Sequence, residues 1–273
     1  MMEYKEFKAL ANQIRRDVIE YSYKTKSTHI ASNFSIIEIL TALYFEQINI
    51  SPKSKFDDNR DKFILSKGHA CLSLYIILEK LGFISKETLN RFSVNDGSLE
   101  HHPRRMLEMG IEVSSGSLGH GLSVAAGMAL AAKMDNRSSN VYVLMSDGEV
   151  NEGSVWEAAL FAGHHGFDNL VAIVDYNKMQ ALGETKDVIN LGSLAEKFRS
   201  FGWSAVDIDG HNHAEIMDTF NKLPFERGKP NVIISNSVKG KGVSFMEMNL
   251  LWHYRTPDDE EYKLALDELN RQL

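Results

Sequence analysis

The sequence predicts an α/β protein: a three-layer, doubly wound parallel sheet with helices on both faces, formed by one domain over residues 1–273. Three observations carry this. From residue 141 onward, short β-rich runs alternate with helical segments, the pattern of βαβ units. The composition, 43% hydrophobic and 25% charged over 273 residues, is that of a soluble globular chain able to bury one large core. No internal repeat or low-complexity linker divides it, and only five prolines interrupt it.

Taken in order, residues 3–24 and 33–46 carry apolar residues at helical spacing, the second run opened by a cap-like Ser32-Asn33. Together they give a helical N-terminal segment over 1–60. An apolar helix follows over 70–82, ended by Gly82. Residues 93–116 mix His, Pro and Gly and read as a long loop, and long loops in compact domains usually carry function. A helix over 118–134 places Gly121, Ala125 and Ala132 near one face, where a neighbouring backbone can approach. Then come strands at Val141–Met145, Leu170–Val174, Ser204–Ile208 and Asn231–Ser235, separated by helices over 153–165, near 193–201 and near 212–222. The acidic–apolar segment DDEEYKLALDELNRQL closes the chain as a helix over 258–271 and reads as the end of a complete chain. Ligands of parallel sheets sit beyond the carboxyl ends of the strands, so the loops after Met145, Val174, Ile208 and Ser235 are expected to converge on one edge.

The net charge of −7 argues against a nucleic-acid surface. It leaves room for an anionic small molecule, because backbone amides and a metal ion can reverse the local field. A single cysteine, Cys71, excludes an internal disulfide and fits a reducing cytoplasm; inside an apolar run it reads as a packing residue. The charged, amphipathic N-terminus has no signal-peptide core, and no apolar run approaches the roughly 20 residues of a membrane span. The expectation is a soluble, cytoplasmic protein.

The loop after the first of these strands reads Ser146-Asp147-Gly148-Glu149-Val150-Asn151-Glu152-Gly153 and opens a helix, so backbone N–H groups and the positive helix end face outward together. Gly148 lets a phosphate approach the backbone, and Asp147 offers a hard oxygen to Mg²⁺. Alone, an Asp-Gly is usually a turn. Asn177, thirty residues later, ends the next strand at the same edge. Two oxygen side chains brought together there, with a backbone carbonyl and diphosphate oxygens, suit a near-octahedral Mg²⁺ site.

The stretch DGEVNEGSVWEAALFAGHHGFDNLVAIVDYNKMQ (147–180) resembles the thiamine diphosphate signature of transketolases. The resemblance implies thiamine diphosphate held through Mg²⁺, or another divalent cation such as Ca²⁺ or Mn²⁺. Asp147, the Asn177 side chain and the Met179 carbonyl would ligate the metal, and Gly148 and Glu149 would lie at the diphosphate. Glu152 and Glu157 match acidic residues that link the cofactor sites across a dimer interface, although negative charge at a helix N-terminus is favourable in itself. Ser146 stands where the motif usually has its first glycine.

Ten histidines invite a zinc hypothesis, but His101-His102 and His164-His165 are adjacent pairs without metal-ligand spacing. The transketolase resemblance accounts for more of them. FILSKGHACLSLYIILEKLGF (63–83) matches the segment that presents a histidine, here His69, to the cofactor. EHHPRRMLEMGIEVSSGSLGHGLSVAAGMALAAK (100–133) matches a loop-to-turn segment that supplies His102, Gly116, Ser117 and Leu118. His29 and His253 match an early and a late active-site histidine. Imidazoles of this kind can bond sugar hydroxyls, polarise a carbonyl and pass protons during ketol transfer. Lys239-Gly240-Lys241-Gly242 either matches a flexible loop near the family's active site, with Lys239 at the cofactor, or is a solvated turn.

The departures cluster on the sugar side. His101 replaces a glycine, His120 a glutamine, and the glycines expected after His29 are absent. Tyr254-Arg255-Thr256 replaces the usual small and basic residues after His253. The resemblance covers nearly the whole chain but only about the first third of a full transketolase. It implies the diphosphate- and Mg²⁺-binding subunit of a split enzyme, a heterotetramer in which a C-terminal subunit brings the pyrimidine-binding domain and its activating glutamate. The reaction implied is transfer of a two-carbon ketol unit from a ketose to an aldose, on sugar or sugar-phosphate substrates. Competing readings are the α-subunit of a thiamine-dependent 2-oxo acid dehydrogenase and a non-catalytic interaction module retaining the fold. A nucleotide-binding Rossmann protein would need a GxGxxG after its first strand, which is missing.

Overall fold

The computed structural model describes residues 2–272. Five strands, β1 (Lys62–Leu65), β2 (Val141–Ser146), β3 (Leu170–Tyr176), β4 (Ser204–Asp209) and β5 (Asn231–Asn236), form one sheet in the order β1-β2-β3-β5-β4. Every pairing is parallel. Strand periodicity sorts the core into two layers. Phe63, Leu65, Tyr142, Leu144, Val171, Ile173 and Ile233 face one side. There they pack on α1 (Tyr4–Thr25), α2 (Ile30–Phe34), α3 (Ile37–Ala42), α4 (Cys71–Lys80), α10 (His213–Phe220) and α11 (Asp259–Asn270). Ile64, Val143, Met145, Ala172, Val174, Val232 and Ile234 face the other, against α6 (Gly121–Met134), α7 (Gly153–His165) and α9 (Leu194–Ser200). The expected three-layer, doubly wound parallel architecture is the one observed. The short helices α5 (Lys86–Asn90) and α8 (Thr185–Val188) lie in connecting segments.

Four features differ from the sequence reading. The first strand, β1, has only four residues and carries no alternation that periodicity could reveal, so it was not anticipated. The proposed cap at Ser32-Asn33 lies inside α2; the helix is entered at His29, whose φ is +66°. Asn33 cannot cap because its side chain is engaged elsewhere: its Oδ1 accepts from the N–H and hydroxyl of Ser73, and its Nδ2 donates to the His29 carbonyl. The single helix expected over 33–46 is broken into α2, α3 and a π-turn over Leu43–Gln47. Finally, no residue of the loop after Ile208, at the end of the edge strand β4, lines the cleft where the other strand ends meet.

The close approach foreseen at Gly121 is present: a Cβ there would stand 2.1 Å from the Ser66 hydroxyl. That hydroxyl accepts from the Gly121 N–H at 3.1 Å, which docks the start of α6 on the end of β1. The C-terminal helix runs over Asp259–Asn270, one residue inside the expected 258–271 at each end, and is capped by Asp258, which accepts from the N–H groups of Glu260 and Glu261.

Candidate active site

The ends of β1, β2, β3 and β5 open into one cleft of about 370 Å³. After β1 come Lys67 and His69, after β2 Asp147 and Gly148, after β3 Asn177 and Met179, and after β5 Lys239. His29 from the entry of α2, His102 and Gly116 from the long loop, Leu118, and His253 complete the wall. All four histidines expected from the sequence share this cleft.

Asp147 is buried at the tip of β2. Its Oδ1 accepts from the Gly148 N–H at 2.8 Å and its Oδ2 from the Thr185 hydroxyl at 2.7 Å. Burial pushes its carboxyl up to about 6, so it is an anion short of positive charge. Asn177 is oriented by Asp175, whose Oδ2 accepts from its Nδ2 at 2.8 Å and so turns the Asn177 carbonyl oxygen toward the Met179 loop. Asp175 is fully buried; Lys67 donates to it at 2.6 Å and Ser35 at 2.8 Å, and the Ser237 hydroxyl donates to its other oxygen. Burial alone would raise the Asp175 carboxyl; the Lys67 ammonium outweighs that and holds it below its usual value. The Met179 carbonyl accepts from Lys239 Nζ at 3.2 Å.

These residues fit a divalent cation with a diphosphate. Asp147, Asn177 and Met179 put three hard oxygens, one of them a desolvated carboxylate, on a single wall. Gln180, also in the wall, has a buried side-chain nitrogen without a partner among the described residues, a donor free for an anionic oxygen. Lys67 and Lys239 add positive charge; burial and the neighbouring Lys67 lower the Lys239 ammonium to about 8. Among the described residues no cluster of His, Cys, Asp or Glu has the makings of a zinc site.

Three imidazoles are grouped in the cleft. Ring centroids of His29 and His253 are 5.0 Å apart, of His29 and His69 5.2 Å, and of His69 and His253 5.8 Å. Burial and the nearby positive groups depress all three, His29 to about 4, His253 to about 3, and His69 well below its usual value. They are neutral at pH 7. An ammonium can only donate, so the 3.0 Å contact of Lys239 Nζ with His253 Nδ1 leaves that ring's proton on Nε2. His102 stands against Gly116, whose φ is +132°; a Cβ there would lie 2.5 Å from His102 Cδ2.

Other expected residues lie elsewhere. The Glu149 carboxylate turns inward, accepting from the Ser66 hydroxyl, the Gly119 N–H and the Ser146 N–H, and does not line the cleft. It braces the turn before α6. Ser117 faces a separate depression with His120. Glu152 and Glu157 are exposed at the start of α7, away from the cleft, in a position open to a neighbouring protein. Lys239 is buried, which excludes the solvated-turn alternative at that residue. Cys71 packs as expected, its thiol pushed up to about 12 by burial. Lys67, Asp175 and the stretch Gln180-Ala181-Leu182 were missed; an acid two residues before Asn177 was the available signal for Asp175.

Residues 7–264 match the family described as "Transketolase, thiamine diphosphate binding domain". The chain belongs to this family. It is 40% identical over its whole length to a subunit of the apulose-4-phosphate transketolase of Phocaeicola vulgatus, covering 96% of that protein. It is also 40% identical, over 96% of its length, to the SqwG subunit of the 6-deoxy-6-sulfo-D-fructose transketolase of Clostridium sp. (strain MSTE9), covering 95% of it. A solved transketolase from Campylobacter jejuni superposes with a TM-score of 0.88 at 26% identity, covering 98% of this chain but 43% of that one. The chain therefore spans subunits of its own size almost completely and about two fifths of a long transketolase. No described helix is long and apolar enough to cross a membrane.

Proposed function

We propose that this transketolase-family chain is the diphosphate- and metal-binding subunit of a two-chain enzyme that transfers a two-carbon ketol unit from a ketose to an aldose. The observation that carries the reading is the meeting of Asp147, Asn177 and Met179 with three neutral imidazoles in one cleft. Asp147, the Asn177 carbonyl and the Met179 carbonyl hold the cation, and Gly148, Gln180 and Lys239 meet the diphosphate. Bound thiamine diphosphate supplies the nucleophilic carbon and the electron sink that such a transfer requires. The chain's own residues orient the sugar and handle its protons. His29, His69 and His253 present neutral rings to hydroxyl groups, and the Nε2 proton of His253 is available to donate. His102, fixed by Gly116, closes the wall.

Glu152 and Glu157, both exposed, would face the companion protein, which would bring the pyrimidine-binding domain and the activating glutamate in a heterotetramer. The relatives named above act on a ketose phosphate and a sulfonated ketose by name. A ketose bearing a terminal anion is accordingly the donor class proposed here. The test is reconstitution with the companion protein, thiamine diphosphate and Mg²⁺, followed by assay of ketol transfer from ketose phosphates to an aldose. Transfer that disappears in His253→Ala, with cofactor affinity retained, supports the assignment. Complete inactivity of the reconstituted wild type toward every anionic ketose would refute it.

A further inference from the structure

The turn that carries Lys239 into the cleft is held from outside the cleft. Val238 donates its backbone N–H to Nε2 of His211 at 2.9 Å. A backbone N–H can only donate, so Nε2 carries no proton and the ring proton lies on Nδ1. Nδ1 donates in turn to Oε2 of Glu38, also at 2.9 Å. Arg15 Nη2 donates to both oxygens of that carboxylate, at 2.6 and 2.7 Å, and Arg15 Nε donates to the Lys241 carbonyl at 2.9 Å. Both ends of the 238–241 turn are thus tied to one buried carboxylate, through His211 at one end and Arg15 at the other. Burial works against ionisation of Glu38, but Arg15 and His211 outweigh it and hold the carboxyl low.

The glycines of the turn fit the same arrangement. Gly242 has φ +98°, and a Cβ there would stand 3.1 Å from Cδ and Nε of Arg15, so its bareness makes room for the guanidinium. Gly240 has φ +81°, and a Cβ there would lie 2.3 Å from the Met246 carbonyl. Arg15, Glu38 and His211 do not line the cleft; they border a separate cavity behind the turn. This is also what the loop after β4 does: it reaches the cleft through His211 and the backbone of its neighbour.

We infer that Arg15, Glu38 and His211 are positioning residues that set the place of Lys239 Nζ at the diphosphate end of the cleft through the backbone of the 238–241 turn. The inference rests on the reading of Lys239 as a diphosphate contact. A residue that acts only through Lys239 has nothing to lose once Lys239 is gone, and a general scaffold residue does.

The test uses the full chain, together with its companion protein, and four variants: His211→Ala, His211→Gln, Lys239→Ala and the His211→Ala/Lys239→Ala double. Hydrogen exchange of the 237–241 amides is followed without cofactor, and thiamine diphosphate affinity is measured by calorimetry with saturating Mg²⁺. His211→Ala is expected to speed exchange at Val238 and to weaken thiamine diphosphate binding about tenfold, the worth of one buried hydrogen bond. His211→Gln, which keeps an acceptor within reach of the Val238 N–H, should recover most of that loss, and it also serves if His211→Ala does not fold. In the Lys239→Ala background, His211→Ala should cost no further affinity. An equal loss in both backgrounds, unchanged exchange, or faster exchange with unchanged affinity overturns the inference. Absence of any thiamine diphosphate binding by the wild type overturns the reading of the cleft instead, and the exchange result then decides the clamp by itself.

Discussion

Asp147→Asn separates what the site does from what the fold prefers. In the metal-free chain, burial lifts the Asp147 carboxyl from 3.8 to about 6. A carboxyl raised by folding destabilises the folded state as pH climbs past the unfolded value, and the full cost is present above the folded one. For this displacement the cost at pH 8 is ~3 kcal/mol, an order-of-magnitude figure at about 1.4 kcal/mol per pH unit. Asparagine has the same shape and no charge to desolvate, and its Oδ1 still accepts from the Gly148 N–H. The Thr185 hydroxyl, which donates to Asp147 Oδ2, can rotate to accept from the new amide nitrogen. The variant is therefore expected to exceed the wild type in stability at pH 8 by up to ~3 kcal/mol and to match it near pH 4. Urea unfolding of the metal-free chain at both pH values measures this. Because the variant lacks the anionic metal ligand, Mg²⁺ with thiamine diphosphate should stabilise the wild type and leave the variant unmoved. A variant no more stable than the wild type at pH 8, or a gain of the same size at pH 4, would refute the reasoning.

Three further outcomes follow from the same geometry. Gly116→Ala places a methyl 2.5 Å from His102 Cδ2 at a φ of +132°, and is expected to cost about 1–3 kcal/mol on thermal unfolding; adding His102→Ala should relieve the clash but leave the backbone strain, so that stability is recovered only in part and transfer not at all, and an unchanged melting temperature in the single variant would contradict this. NMR titration should find His29 and His253 protonating near 4 and 3. Their folded values lie below the unfolded 6.5, so their burial weighs on the fold only as pH drops through 6.5 and downward; midpoints above 6 would contradict the neutral cluster. Lys67→Met strands the buried Asp175 carboxylate and should cost about 3–5 kcal/mol in urea unfolding, with the Lys67→Met/Asp175→Leu double losing less than the single; a larger loss in the double would count against the pair.

The sheet from β2 to β5 was legible because each strand is a short apolar run between helices with the right turn chemistry. β1 escaped notice because four residues give no period. The Ser32-Asn33 cap failed for a different reason: polar residues suited to a helix start are equally suited to bridge buried helices, and Asn33 does so through Ser73. Asp147 and Asn177 were readable from residue type and spacing, whereas Met179 and the four histidines were placed by the resemblance to transketolases. Glu149 was misplaced because sequence offsets say which loop a residue is on and not which way its side chain turns. Lys67 and Asp175 were invisible as a pair, since they lie 108 residues apart and meet only when β1 and β3 flank β2.

The account stands most directly on whether this cleft binds thiamine diphosphate through a metal held by Asp147. Calorimetric titration of thiamine diphosphate into the protein, by itself and with its companion, with and without Mg²⁺, measures it. The account predicts binding that requires Mg²⁺, tightens with the companion and vanishes in Asp147→Ala. Binding that ignores Mg²⁺ or survives Asp147→Ala, or no binding under any of these conditions, would contradict it.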